Sequence, residues 1–326
     1  MISVKNLSKY YGTVQALDRI TFNVGNGEIL GLLGPNGAGK STTMRILTCY
    51  LPPTSGAINI NGMDILENPV KIKRLMGYLP EFAPLYTDML VYDYLKFVAT
   101  IRDLQPDKKE RRITEMVEIC GLKDVIHRPF RELSRGFKQR VGIAHALMSD
   151  PEILILDEPT SGLDPNQIME IRSIIREIGK KKTIIFSTHI LSEAEATCDR
   201  IVIIDRGKIV ADGTSESIKA SALGRHLFQM SLLDASFSDV KGYLGRIDGV
   251  DEIRRVAADS PDELKVQFIC SNDNRKEIYS HVRKKDWFLI EFTKEKGSLE
   301  SIFRELTVSD QSAVKGKNRT PTGRKP

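Results

Sequence analysis

The sequence predicts an α/β fold followed by a small α+β module, and three observations predict it. First, strand-length apolar runs alternate with helical stretches from residue 153 onward. They read as strand Ile153–Leu156, helix Pro165–Gly179, strand 183–187, helix 190–197 and strand Arg200–Asp205. That alternation calls for a sheet with helices on its faces. Second, Ile29–Leu33 is a continuous apolar run that leads directly into a glycine-rich loop and then a helix, the pattern of a buried strand. Third, the character changes near Thr214. Beyond about residue 225 the order becomes strand, helix, strand, strand, helix, strand, helix. These lie near 226–231, 236–244, 250–257, 263–269, 273–282, 287–293 and 299–306. Such an order suits a ferredoxin-like module.

The remaining elements follow from local signals. Residues 2–24 read as short strands broken by a turn at Tyr11-Gly12-Thr13. The helix after the glycine-rich loop is expected to reach Leu51, where Pro52-Pro53 stops it. Residues 91–149 look mostly helical, with no convincing strand. No internal repeat is visible. The expected organisation is a domain over 1–220, an accessory domain over 225–307 and a tail over 308–326.

Composition bounds the function classes. A chain of 326 residues suggests two domains and can bury a core without staples. Its longest apolar runs fall far short of the ~18 residues of a membrane span. Residues 1–10 lack the long apolar core of a secretory signal. Four cysteines, Cys49, Cys120, Cys198 and Cys270, are scattered with no C-x-x-C pair, so neither a zinc knuckle nor a disulfide framework is implied. A reducing cytoplasm fits. The net charge is +5. Residues 309–326 carry five basic side chains against Asp310 alone, so most of that excess belongs to a polar tail expected to be disordered. The folded body is near neutral, which argues against a nucleic-acid-binding face.

Two constellations carry chemistry. Gly34-Pro35-Asn36-Gly37-Ala38-Gly39-Lys40-Ser41 matches the G-x-x-x-x-G-K-[ST] phosphate-binding loop. Glycines let backbone N–H groups curl around phosphate oxygens, and the following helix adds its dipole. Lys40 reaches the β- and γ-phosphates, Ser41 offers a hydroxyl to Mg²⁺, and Thr42 faces the α-phosphate. The second is Asp157-Glu158, two carboxylates ending the apolar strand Ile153–Leu156. A buried strand with an acidic tip needs a partner for its charge. Mg²⁺ on a nucleotide is such a partner, with Asp157 as ligand. Glu158 would activate or orient a water. His189 follows the next apolar strand and is placed to contact the γ-phosphate or hold that water.

The run Leu133-Ser134-Arg135-Gly136-Phe137-Lys138-Gln139-Arg140 resembles the signature motif of the ATP-binding cassette family, usually Leu-Ser-Gly-Gly-Gln. Ser161-Gly162-Leu163-Asp164 resembles the family's D-loop and His189 its switch histidine. Tyr11 sits where the family places an aromatic on adenine. Gly77-Tyr78-Leu79-Pro80-Glu81 falls at its Q-loop. The resemblance covers roughly residues 1–220. It implies a P-loop cassette with a mixed core sheet, an antiparallel β subdomain and a helical subdomain over about 82–150. It also implies ATP and Mg²⁺ as cofactors. Two copies, identical or paired with a related chain, would close head to tail. Ser134, Arg135 and Gly136 of one would then face the ATP held by the loop of the other. A separate transmembrane permease would dock on the helical subdomain, placing the protein on the cytoplasmic face of the plasma membrane.

Two departures from the family pattern stand out. Glu81 replaces the usual Gln, so it can still ligate Mg²⁺ but cannot donate as an amide does. Arg135 and Phe137 alter the signature; Arg135 either adds charge near phosphate or points to solvent. These variants, with Pro84-Leu85-Tyr86-Thr87 and the segment 288–303, resemble the multidrug and gliding-motility exporter group. The alternative is a soluble cassette ATPase acting on nucleic acid or ribosomes. Such proteins usually carry two cassettes or a long coiled-coil insertion. Only about 117 residues separate Lys40 from Asp157, without sustained heptads.

Overall fold

The computed structural model of the chain describes residues 2–81, 86–222, 226–258, 260, 262–294 and 303. The chain divides into two compact units, residues 1–215 and 216–326. The first contains β1 (Ile2–Tyr11), β2 (Val14–Val24), β3 (Ile29–Leu33), α1 (Lys40–Leu47), β4 (Ser55–Ile60), β5 (Met63–Asp64), α2 (Pro69–Leu75) and β6 (Met76–Leu79). It continues through α3 (Val91–Ile101), α4 (Pro106–Ile119), α5 (Arg135–Leu147), β7 (Ile153–Leu156), α6 (Pro165–Gly179), β8 (Thr183–Thr188), α7 (Leu191–Thr197), β9 (Arg200–Asp205) and β10 (Lys208–Gly213). A helix α8 (Ser215–Ala222) crosses the division.

Two sheets build the first unit. One is antiparallel, in the order β2-β1-β4-β5; the other has the order β10-β9-β3-β8-β7-β6. The second sheet is parallel except for β10. Its middle strands are buried on both faces, which is why they read as unbroken apolar runs. In β7, Ile153 and Ile155 join a core shared with the antiparallel sheet, α1 and α2. Leu154 and Leu156 join the opposite core, with α3, α4, α5 and α6. The period of two along a strand thus fastens one four-residue segment into both layers.

The helix α1 ends at Leu47, short of the expected Leu51. Thr48 Oγ1 bonds back to Met44 O at 3.0 Å, and Cys49 takes a left-handed φ of 56°. Tyr50 N then donates to Arg45 O and Cys49 N to Ile46 O, both at 2.9 Å. This is a Schellman termination with a cysteine where glycine is usual. The sequence carries no glycine there to mark it. β4, β5, α2, β6 and β10 are further elements that no strong local signal marks.

The second unit contains β11 (His226–Leu233), α9 (Phe237–Leu244), β12 (Val250–Val256), β13 (Leu264–Cys270), α10 (Arg275–Val282) and β14 (Phe288–Lys294). Its sheet has the order β12-β13-β11-β14, antiparallel throughout. That is the arrangement a split βαβ pair produces. Alternate residues Phe228, Met230 and Leu232 of β11 pack with Val240 and Leu244 of α9 and Ile278 and Val282 of α10. The expected helix at 299–306, apart from residue 303, and the tail at 309–326 lie outside the described residues. So do residues 84 and 85 of the exporter-like run.

Candidate active site

The carboxyl ends of β3, β6, β7 and β8 lead into the four segments that form the site, as expected for a parallel sheet. After β3 the loop 34–39 passes under β9. A Cβ on Gly34 would lie 2.2 Å from Ile204 O, so only glycine lets the loop leave the sheet there. Gly39, the residue capping α1, has φ 111°, and a Cβ on it would strike Leu17 Cδ2 at 2.6 Å. No side chain caps α1 and its first turn holds no acid. Its leading N–H groups therefore face the loop's concavity free to bind an anion.

These segments enclose a cleft of about 330 Å³ lined by Asn36, Gly37, Gly39, Lys40, Ser41, Thr42, Glu81, Glu158 and His189, with Ala16 and Ser161. Lys40 is only 5% exposed. Its ammonium donates to Gly34 O at 2.8 Å and Pro35 O at 3.2 Å and pairs with Glu158 Oε1 at 3.3 Å. A buried ammonium needs such partners. The other Glu158 oxygen, Oε2, lies 2.8 Å from His189 Nδ1. Asp157 Oδ1 accepts from Ser41 Oγ at 3.1 Å and from Ser187 Oγ at 2.6 Å. Burial first, and then the Asp157 charge, push the Tyr78 phenol of β6 up to about 12, so it stays neutral.

Glu158 adopts a left-handed φ of 49°, uncommon for a residue with a Cβ. Two bonds hold it: its N–H donates to Ser187 Oγ at 2.8 Å, and its carbonyl accepts from Ser161 N at 3.1 Å. The fully buried Ser187 thus fixes both acids. Motif reasoning passes over this residue. A signal for it exists, because Ser187-Thr188 puts two hydroxyls at the tip of an apolar strand, where each needs a partner.

Ser41, Asp157 and Glu81 are the residues expected as metal ligands. Ser41 and Glu81 line the cleft, while Asp157 is buried outside its lining, bonded to the Ser41 hydroxyl at 3.1 Å. Among the described residues no three His, Cys, Asp or Glu side chains converge as a metal cage. A hydroxyl and one or two carboxylates, completed by phosphate oxygens and waters, are what Mg²⁺ takes. The donor set fits Mg²⁺ arriving with a nucleotide.

Tyr11 and the signature residues stand apart from the cleft lining. Tyr11, at the end of β1, is 44% exposed, with the Lys9 ammonium 5.5 Å from its ring centre. Ser134 caps α5, its Oγ accepting from Phe137 N at 3.3 Å. Gly136 is buried against Gln167, which a Cβ would meet at 2.7 Å. Arg135 reaches over Gly162, where a Cβ would lie 2.8 Å from its Nη1. The Arg140 guanidinium stacks over the Phe137 ring at 5.1 Å.

Comparison with known proteins agrees with this geometry. The ABC transporter family model matches residues 17–161. The chain is 40% identical over 219 residues to the uncharacterized ABC transporter ATP-binding protein YxlF of Bacillus subtilis, covering 67% of this chain and 72% of that one. It is 38% identical over 259 residues to the bacitracin transport ATP-binding protein BcrA of Bacillus licheniformis, covering 77% and 83%. A solved ATP-binding subunit of an ABC transporter superposes with a TM-score of 0.61 at 35% identity, over 68% of this chain and 92% of the other. The dimeric post-hydrolysis cassette MJ0796 bound to ADP and Pi does so with 0.60 at 25% identity, over 66% and 98%. The chain belongs to the ABC transporter family, as an ATP-binding, ATP-hydrolysing subunit.

Proposed function

We propose that the chain powers an exporter whose permease is a separate polypeptide, working from the cytoplasmic face of the plasma membrane. Two ATPase subunits, identical or related, close head to tail over two ATP molecules. In each site the loop 34–42 holds the phosphates and Lys40 meets the β- and γ-phosphates. Ser41, Asp157 and Glu81 hold Mg²⁺, which when bound neutralises phosphate charge. Glu158 takes a proton from the attacking water, and His189 orients that carboxylate and the γ-phosphate. Tyr11 stacks on adenine.

One observation carries the two-chain reading. Ser134, Arg135 and Gly136 form the start of α5, yet none of them lines the cleft of their own chain. A second chain can supply them, its helix terminus facing the γ-phosphate. The permease reading is supported by relatives named for transport, among them the bacitracin protein. It agrees with the finding that no helix among the described residues is long and apolar enough to cross a membrane.

Co-purification from membranes tests the reading. A multispan subunit should accompany the protein; its absence, with ATPase activity stimulated by RNA or DNA, would sink the exporter proposal. Glu158→Gln should slow hydrolysis by roughly 10²–10⁴-fold and accumulate an ATP-bound dimer on gel filtration. Parental hydrolysis by that variant would remove Glu158 from its role.

A further inference from the structure

Glu193 occupies the third position of α7 and is 3% exposed. From there a carboxylate ordinarily reaches back to the backbone N–H at the helix start. Here the N–H of Ile190 goes to Thr188 Oγ1 at 3.0 Å, and the carboxylate turns inward. Its Oε2 accepts from Thr160 Oγ1 at 2.6 Å and from Thr188 Oγ1 at 2.8 Å. Its Oε1 is buried with no hydrogen-bond partner. A carboxylate kept inside on two hydroxyl donors is costly, and an apolar side chain of similar size would serve packing alone better.

The two donors are placed informatively. Thr160 lies two residues beyond Glu158, and Thr188 immediately precedes His189. Glu158 and His189 themselves meet at 2.8 Å. One oxygen atom therefore ties the turn that carries Glu158 to the turn that carries His189. Glu193 is not part of the cleft wall, so it acts through those turns.

We propose that Glu193 is a positioning residue that fixes the Glu158–His189 separation and aims the Glu158 carboxylate into the cleft. The proposal rests on the reading of Glu158 and His189 as the hydrolytic pair. Glu193→Ala leaves both threonine hydroxyls without an acceptor and loosens the two turns beyond the strand ends, where the Ser187 bonds to Asp157 and Glu158 still hold them together. A displacement of about 1 Å in such a pair costs on the order of 100-fold in rate. Glu193→Gln keeps a carbonyl oxygen that can accept both hydroxyls, so it should restore the tie.

The test is steady-state MgATP hydrolysis by the full chain, with nucleotide affinity read from a fluorescent ATP analogue. Glu193→Ala is expected to lower kcat roughly 10- to 100-fold, with KM and analogue affinity moving less than about threefold. Glu193→Gln should stay within about threefold of the parent, with Thr160→Val and Thr188→Val falling between. A lower melting temperature with unchanged kcat per folded molecule would overturn the proposal. So would parallel loss of kcat and affinity. If Glu193→Ala does not fold, the near-isosteric threonine variants decide, and parental kcat in both overturns it. Glu158→Gln run alongside separates the two readings. Parental hydrolysis there removes the catalytic assignment and this proposal with it. A slow Glu158→Gln beside parental Glu193 and threonine variants removes this proposal alone.

Discussion

Ser187→Ala removes one oxygen atom from the centre of the site. That hydroxyl is fully buried. It accepts the Glu158 N–H at 2.8 Å and donates to Asp157 Oδ1 at 2.6 Å. Alanine leaves the N–H without an acceptor, at about 1–3 kcal/mol for a buried unpaired donor. Asp157 keeps the Ser41 hydroxyl at 3.1 Å but loses its shorter bond. A bond to a charged group contributes about 1.5–3 kcal/mol. Together the substitution should destabilise the first unit by roughly 2.5–6 kcal/mol. Urea unfolding followed by far-UV circular dichroism and by nucleotide-analogue binding measures it. Tryptophan fluorescence does not, because the single tryptophan, Trp287, belongs to the second unit. Freed from Ser187, Glu158 should also lose its fixed φ of 49°, lowering kcat by about tenfold or more. An unfolding free energy within about 0.5 kcal/mol of the parent's at unchanged slope, with parental kcat, would refute this account of how the two acids are held.

Gly77→Ala should also destabilise the first unit, because a Cβ there would lie 2.1 Å from Ala146 O and force β6 off α5. We expect a loss of about 1–3 kcal/mol, read as roughly 2–4 °C of Tm per kcal/mol; an unchanged Tm would contradict the packing. His145, 2.6 Å from the Tyr94 hydroxyl, is pushed down from 6.5 to about 4 by burial and then by Arg102. Between those values the unfolded chain binds the proton and the folded chain does not. The stability from the neutral ring is therefore complete above pH 6.5 and falls away as pH drops toward 4, by roughly 3 kcal/mol. His145→Gln should flatten the stability–pH slope across that window, and an identical slope would overturn the assignment.

Strong, local signals are legible along the chain. β3, β7, α6 and β9 begin and end where their apolar periods begin and end. α1 is shorter than its pattern suggests because its stop is made by a left-handed cysteine, and cysteine does not announce that conformation. β4, β5 and β6 escape a reading of pattern alone: β4 faces solvent for much of its length, β5 has two residues and β6 has four. Lacking the unbroken aliphatic run that marks β7, itself only four residues long, these segments become strands only because partners are there to pair with them.

The phosphate loop, the acidic strand tip and the family are all written in the order of the residues. Each is carried by contiguous runs whose residue types serve one local chemistry, so each can be read along the chain. Only the folded arrangement decides that Lys40 lies between two carbonyls and Glu158, that Ser187 holds both acids, and that Glu193 joins two turns through one oxygen. The contacts from the end of β7 to Ser187 and Glu193 bridge 29 to 33 positions, and that from Ser41 to Asp157 bridges 116. Which hydroxyl meets which carboxylate depends on strand register in the sheet and on burial, and neither is written in any one segment.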